Sequence, residues 1–300
     1  MYYLNLIVEK RKKVVFFSLF LSVVFISGCG EKSSKEIRMN DIAYGNHPRQ
    51  TMDIALPPHA DEQHKVPVVF CIHGGSWSSG DKKDFEWIKE MITNANCAYV
   101  SINYRLLQDN VTYVQMLQDI EAAIVRLKTC SEDYHLKTDK MCIIGSSAGG
   151  HLAMLYAWSE ESPVEIALVA SRVGPADFTD PEQIRLNGVE HLHQINLLLG
   201  TQVTLSQAES VGFVFPEAWY AASPVYHIKR ESPPAVLAYG EKDALVSYSN
   251  ALILKNKLEE YDVDHRLISF PNSGHELNND PDKLEEFRQA LILFLRTCLL

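Results

Sequence analysis

The stretch MCIIGSSAGGHLAML, residues 141–155, places an apolar run, a knot of glycines and serines, and a row of helix formers in direct succession. A strand that converts to a helix within so few residues constrains the whole chain, because the strand needs a sheet to sit in and the helix must fold back against it. Gly145-Ser146-Ser147-Ala148-Gly149 fits the pattern G-x-S-x-G. With glycine near 7% of residues, a chain of this length shows that pattern by chance on the order of a tenth of the time. The setting adds what the pattern lacks: the strand before it and the helix after it are those of a nucleophile elbow. A turn this sharp forces strained angles on Ser147, and bulky neighbours would clash with the adjoining strand and helix. The Ser147 hydroxyl then stands at the amino end of a helix, where developing negative charge is favoured. Ser146 fills the variable position and is a bystander.

Elsewhere, apolar β-rich runs alternate with helical patterns, as expected for an α/β domain whose sheet is covered on both faces. DIAYG and TMDIALP read as an opening antiparallel pair; VPVVFCIHGG, CAYVSINYR, MCIIG, EIALVASRVG, PPAVLAYG and HRLISFP supply the further strands, about eight in all. In VTYVQMLQDIEAAIVRLKTC the spacing predicts a helix that turns Val114, Leu117, Ile120, Ile124 and Leu127 inward. ALVSYSNALILKNKLEEY and KLEEFRQALILFLRT are further helices. Residues 178–222 are too long for an ordinary connection and carry an apolar helical pattern of their own, as expected of a cap or pocket wall.

A serine hydroxyl needs a base to remove its proton as it attacks. Among 11 histidines, His275 stands out because it follows the last apolar strand in the turn-forming segment Asn272-Ser273-Gly274. His151, on the helix of the turn, reads as a packing or surface residue, and His191, His193 and His227 fall in or near the excursion. The base needs a carboxylate to orient it. Asp243, in the loop after PPAVLAYG, gives the chain order Ser, Asp, His; Glu241 and Asp177 are its rivals. At another strand end, His73-Gly74-Gly75-Ser76-Trp77 brings backbone N–H groups within reach of an oxyanion, with Gly74, Gly75 and Ala148 as the expected donors.

A net charge of −10 argues against phosphate-backbone recognition, and no Lys/Arg cluster occurs beyond residue 13, so a nucleic-acid partner is not expected. At the N-terminus, Lys10-Arg11-Lys12-Lys13 precedes VVFFSLFLSVVFIS and then Gly28-Cys29. Basic, apolar and small regions in this order describe a secretory signal. The apolar run would span only ~21 Å as a helix, short of a ~30 Å hydrocarbon core. Cys71, Cys97, Cys130, Cys142 and Cys298 form no CxxC and are expected as buried free thiols, although one bridge through Cys130 or Cys298 stays open. No metal or organic cofactor is expected.

Taken in chain order, IHGGSWSSGDK, SINYRL, SSAGGHLA, GPADFTD, AASPVYHI, YGEKDALVSY and NSGHE resemble an α/β-hydrolase, specifically a carboxylesterase of the hormone-sensitive-lipase-like and feruloyl-esterase-like (BD-FAE-type) branch. The resemblance runs over residues about 66 to 276. It implies an α/β-hydrolase fold over residues 39–300, with a mostly parallel central sheet and a short cap at 178–222. It also implies a serine esterase in which Ser147, Asp243 and His275 are catalytic, acting on a small-molecule ester. HGGS stands where many relatives have HGGG, and Ser146 where many have Asp. His73, Trp77 and Tyr104 are implied as possible pocket residues, with loop packing the alternative for Trp77 and a structural role that for Tyr104. Ile26-Ser27-Gly28-Cys29 is similar to a bacterial lipobox, implying a signal peptide over 1–28, lipidation of Cys29, a tether over 29–38 and a membrane-held envelope protein.

Two other readings stand beside this one. A serine exopeptidase shares the fold, but such relatives usually carry an additional large domain. A non-catalytic surface lipoprotein would be expected to have lost a member of the triad. Acyl length, alcohol identity and oligomeric state are not legible here.

Overall fold

The computed structural model describes residues 37–299. The expected signal, Cys29 and most of the expected tether lie outside these residues. Its last two positions, Ile37 and Arg38, belong instead to a strand.

The strands are β1 (Ile37–Ala43), β2 (Thr51–Leu56), β3 (Val66–Ile72), β4 (Ala98–Ile102), β5 (Leu136–Ser146), β6 (Glu165–Arg172), β7 (Ala235–Gly240) and β8 (His265–Phe270). They form one sheet in the order β1-β2-β4-β3-β5-β6-β7-β8. β1 and β2 pair antiparallel, β2 joins β4 antiparallel, and every later pairing is parallel. Parallel strands require crossovers, and these are α1 (Glu86–Asn94), α2 (Tyr113–Thr129), α3 (Ala148–Ser159) and α7 (Tyr248–Glu260), with α8 (Pro281–Cys298) closing the chain. The excursion supplies α4 (Pro181–Leu199), α5 (Leu205–Ala208) and α6 (Glu217–Ala221).

Both faces of the sheet are covered, so its central strands are apolar throughout, and alternate residues enter different layers. From β3, Val66, Val68, Phe70 and Ile72 join a core with residues of α2, α3 and α7, whereas Val69 and Cys71 join one with α1 and α8. Cys142 and Ile144 of β5 follow Cys71 into that second layer. The thiols of Cys71, Cys97, Cys130, Cys142 and Cys298 are free, and the first four are buried.

Within α2, Leu117, Ile120, Ile124 and Leu127 turn inward as their spacing predicts. Val114 does not, being 42% exposed. It lies in the first turn, where Met116 is the buried residue instead.

Candidate active site

At the end of β5 the chain turns in a single residue. Ser147 has φ 53° and ψ −121° and serves as the N-cap of α3. Its amide N–H donates to the carbonyl of Arg172 on β6 at 2.7 Å, which pins the strained residue to the neighbouring strand. α3 is buried along most of its length and crosses very close to β3: a Cβ placed on Gly149 would lie 2.1 Å from the carbonyl oxygen of Ile72. Only glycine permits that approach.

His275 Nε2 lies 2.9 Å from Ser147 Oγ, and His275 Nδ1 lies 2.8 Å from Asp243 Oδ2. A carboxylate can only accept, so the ring proton sits on Nδ1 and leaves the Nε2 lone pair facing the hydroxyl. Asp243 is itself fixed: its other oxygen, Oδ1, accepts the amide N–H groups of Leu245 and Val246 at 2.8 and 3.0 Å. Neither rival carboxylate takes part. Glu241 is exposed, and Asp177 accepts from the amide and hydroxyl of Thr179, its carboxyl pushed up by burial.

The loop after β3 approaches from the other side. A Cβ on Gly74 would lie 2.9 Å from the Ser146 carbonyl oxygen and 3.3 Å from Ser147 Cβ, so the glycine loop packs directly against the turn. Gly75, Ser76 and Trp77 follow with φ of 105°, 50° and 58°, a strained run for residues with side chains. The carbonyl of Gly75 is held by the N–H groups of Ser78 and Ser79. Ala148 occupies the first position of α3, where backbone N–H groups have no partner within the helix.

Two expected pocket residues lie elsewhere. His73 and Tyr104 are fully buried and stack on each other with ring centroids 4.5 Å apart, behind the glycine loop. Their polar atoms are all engaged. Tyr104 donates its hydroxyl to the His73 carbonyl at 3.1 Å, His73 Nδ1 donates to the Gly74 carbonyl at 2.7 Å, and Arg49 donates to His73 Nε2 at 3.1 Å. Arg49 also donates to the carbonyls of Tyr104 and Gly80. The group buttresses the loop from beneath. Burial lowers the His73 pKa to about 4.

Trp77 both packs and lines. It borders a narrow cavity beside Ser147 and His275, and its indole N–H donates to His151 Nδ1 at 3.2 Å. An indole only donates, so His151 carries its proton on Nε2 and gives it to the Ala222 carbonyl, 2.8 Å away. His151 is thus a packing residue that ties the glycine loop, α3 and the excursion together, and burial lowers its pKa to about 4.

The excursion walls this narrow cavity, which measures about 20 Å³ and includes Phe178, Gln183, His191, Ile195 and Val246 among its lining. α4 is broken at Gly188 (φ 57°, ψ −156°). Before the break, Gln183 donates to the Leu245 carbonyl and accepts the Ser247 N–H, gripping the loop that carries Asp243. After it come His191 and Ile195. His191 is half-buried, and burial lowers its pKa; His193 is exposed, and His227 bonds the Ala221 carbonyl outside the cavity. A broader cleft of about 470 Å³, also bordering Ser147 and His275, is lined by Gly74, Gly75, Trp87, Arg172 and Glu276. Sequence reasoning missed Gln183, Ile195, Trp87 and Arg172; only the strand-end position of Arg172 gave any signal. Among the described residues, no group of three or more His, Cys, Asp or Glu side chains is arranged to hold a metal.

The BD-FAE family profile matches residues 52–258, which includes Ser147, Asp243, the glycine loop and the whole excursion. The chain belongs to the BD-FAE family. This BD-FAE chain is 29% identical over 223 residues to the probable carboxylic ester hydrolase LipM of Mycobacterium tuberculosis, a match covering 70% of this chain and 49% of LipM. It is 25% identical to esterase LipQ of the same organism, covering 79% of this chain and 56% of LipQ. It therefore spans about half the length of these relatives. Among solved structures, a truncated carbohydrate esterase from gut microbiota superposes with a TM-score of 0.72 at 17% identity, covering 89% of this chain and 97% of that one. Esterase B from Lactobacillus rhamnosus superposes with a TM-score of 0.69 at 22% identity, covering 86% and 85%. These likenesses establish the α/β-hydrolase fold.

Proposed function

We propose that this protein is a serine esterase that hydrolyses short-chain carboxylic esters through an acyl-enzyme. The observation that carries this is the continuous hydrogen-bonded chain from Ser147 through His275 to Asp243, opening on a narrow cavity and a broad cleft. Ser147 Oγ attacks the ester carbonyl while His275 Nε2 takes its proton. Asp243 holds the ring in the required tautomer and stabilises the imidazolium. The N–H groups of Gly74, Gly75 and Ala148 receive the oxyanion, each such donor contributing about 2.7–4 kcal/mol. His275 then gives its proton to the departing alcohol, and a water molecule, activated by the same imidazole, releases the acid.

A cavity of about 20 Å³ admits little more than one water-sized group, which suits an acetyl methyl. The larger alcohol portion, of which a carbohydrate is one example, then occupies the cleft. The deciding experiment is labelling of the native protein and of Ser147→Ala with a fluorophosphonate, together with hydrolysis of p-nitrophenyl esters from acetate to palmitate, acetylated xylan and an aminoacyl-anilide. Labelling that depends on Ser147, with acetate as the preferred ester, is the expected result. An unlabelled native protein, or preference for the anilide, refutes the reading.

The order of basic, apolar and small residues before Cys29 supports attachment of the protein to a bacterial membrane by lipid on that cysteine. Incorporation of labelled palmitate that is lost in Cys29→Ala is the corresponding test.

A further inference from the structure

Arg172 ends β6 one strand away from the elbow, its register partner being Ser146. Its backbone carbonyl fixes Ser147, and its side chain borders the broad cleft beside Ser147 and His275. That side chain is under-used. The guanidinium lies 4.8 Å from the ring centroid of Trp87 and donates one hydrogen bond, 3.1 Å long, to the carbonyl of Glu276. Nε is buried without a hydrogen-bond partner, and Arg172 forms no ion pair among the described residues. Arginine stays protonated; burial disfavours this charge, the nearby Arg288 adds to that, and the Glu276 carboxylate offsets only part of it. The other charged residues bordering the cleft are Asp84 and Glu276. Asp84 is engaged in accepting the Asp81 N–H, and the Glu276 side chain is exposed. Both repel an anion, and among the described residues Arg172 is the one cationic side chain bordering this cleft, separate from the backbone N–H groups of the glycine loop.

Building on the esterase reading, we infer that Arg172, propped on Trp87, is a specificity-determining residue that binds a carboxylate carried by the alcohol portion of the substrate. The substrate class is an acylated hydroxy-acid, whether a free aromatic one or an acidic sugar. A guanidinium forms charge-assisted hydrogen bonds with such a carboxylate.

The test compares three acetyl esters of matched shape, 4-acetoxybenzoate, its uncharged 4-acetoxybenzamide counterpart and 4-acetoxyphenyl phosphate, on the native enzyme, Arg172→Gln and Arg172→Lys. In the native enzyme, kcat/KM is expected to favour the benzoate over the benzamide by about tenfold, mainly through KM and less so at high salt. Arg172→Gln is expected to bring the ratio close to one, and Arg172→Lys to keep part of it. Because each protein serves as its own control through this ratio, a general loss of fold or activity does not imitate the result. A native ratio near one, or a ratio unchanged by Arg172→Gln, overturns the inference while leaving the esterase reading intact. Preference for the phosphate ester over the benzoate overturns the choice of carboxylate. If the native enzyme hydrolyses p-nitrophenyl acetate but none of the three, this inference is overturned and the esterase reading stands; if it hydrolyses none of the four, the esterase reading fails first and this inference with it.

Discussion

Ser147 and Arg172 are joined backbone to backbone, the amide of one donating to the carbonyl of the other at 2.7 Å. That bond holds a non-glycine residue at φ 53°, where it would not rest unaided. The strain predicts a trade between stability and activity. Ser147→Gly relaxes the turn, and its melting temperature is expected to rise by about 2–4 °C, the equivalent of roughly 1 kcal/mol, while fluorophosphonate labelling disappears. A differential scanning experiment beside a gel-based label reads both; a lower melting temperature would show that the turn is not strained.

Asp243 alone among the three candidate carboxylates touches His275. Asp243→Asn is expected to lower kcat for p-nitrophenyl acetate by about 10³–10⁴-fold while the fold survives, because the ring loses its enforced tautomer. Asp177→Asn and Glu241→Gln are expected to leave most activity. Steady-state kinetics of the three variants, with circular dichroism as a folding control, decides the assignment.

Ile195 and Phe178 close the narrow cavity. Ile195→Ala is expected to raise the butyrate-to-acetate ratio of kcat/KM by about tenfold, since one methylene of fit is worth 10–200-fold in an apolar pocket. An unchanged ratio would mean that the acyl group binds elsewhere.

His73 and His151 are both buried neutral, with pKa values lowered to about 4 against an ordinary 6.5. Between these values the unfolded chain binds protons that the folded chain refuses, so stability rises with pH over the window and is lost as pH falls from about 6.5 to 4. Each histidine is expected to contribute on the order of 3 kcal/mol of this loss. Urea midpoints at pH 7 and pH 4.5 measure it, and His151→Gln should flatten the dependence; a pH-independent difference would refute the account.

The strands and the residues around Ser147 were legible because they are written in short-range terms: apolar runs, glycines at a turn, an acid and a histidine after later strands. What could not be read was which face of a loop a side chain takes. His73 and Tyr104 flank the glycine loop as a pocket pair would, yet they are held beneath it by Arg49, whose guanidinium arrives from residues far off in the chain. Nothing in the local pattern reports that contact. Val114 fails for a related reason: periodicity gives an angle around the helix, not which residue of the first turn is covered, and there it is Met116. Residues 178–222 announce themselves by length and apolar content, but the assignment of Gln183 to the acid loop and Ile195 to the cavity depends on the break at Gly188.

That break divides labour along a single helix. The half before Gly188 is bound through Gln183 to the loop bearing Asp243, whereas the half after it carries His191 and Ile195 against the cavity. On the esterase reading, substitutions of His191 and Ile195 are expected to reshape the cavity while Gln183, which also lines it, keeps its hold on the Asp243 loop. If the proposed mechanism holds, a lineage built this way is free to change what it accepts while leaving the Ser147–His275–Asp243 hydrogen bonds in place, and directed libraries aimed at new acyl groups belong in residues 189–199.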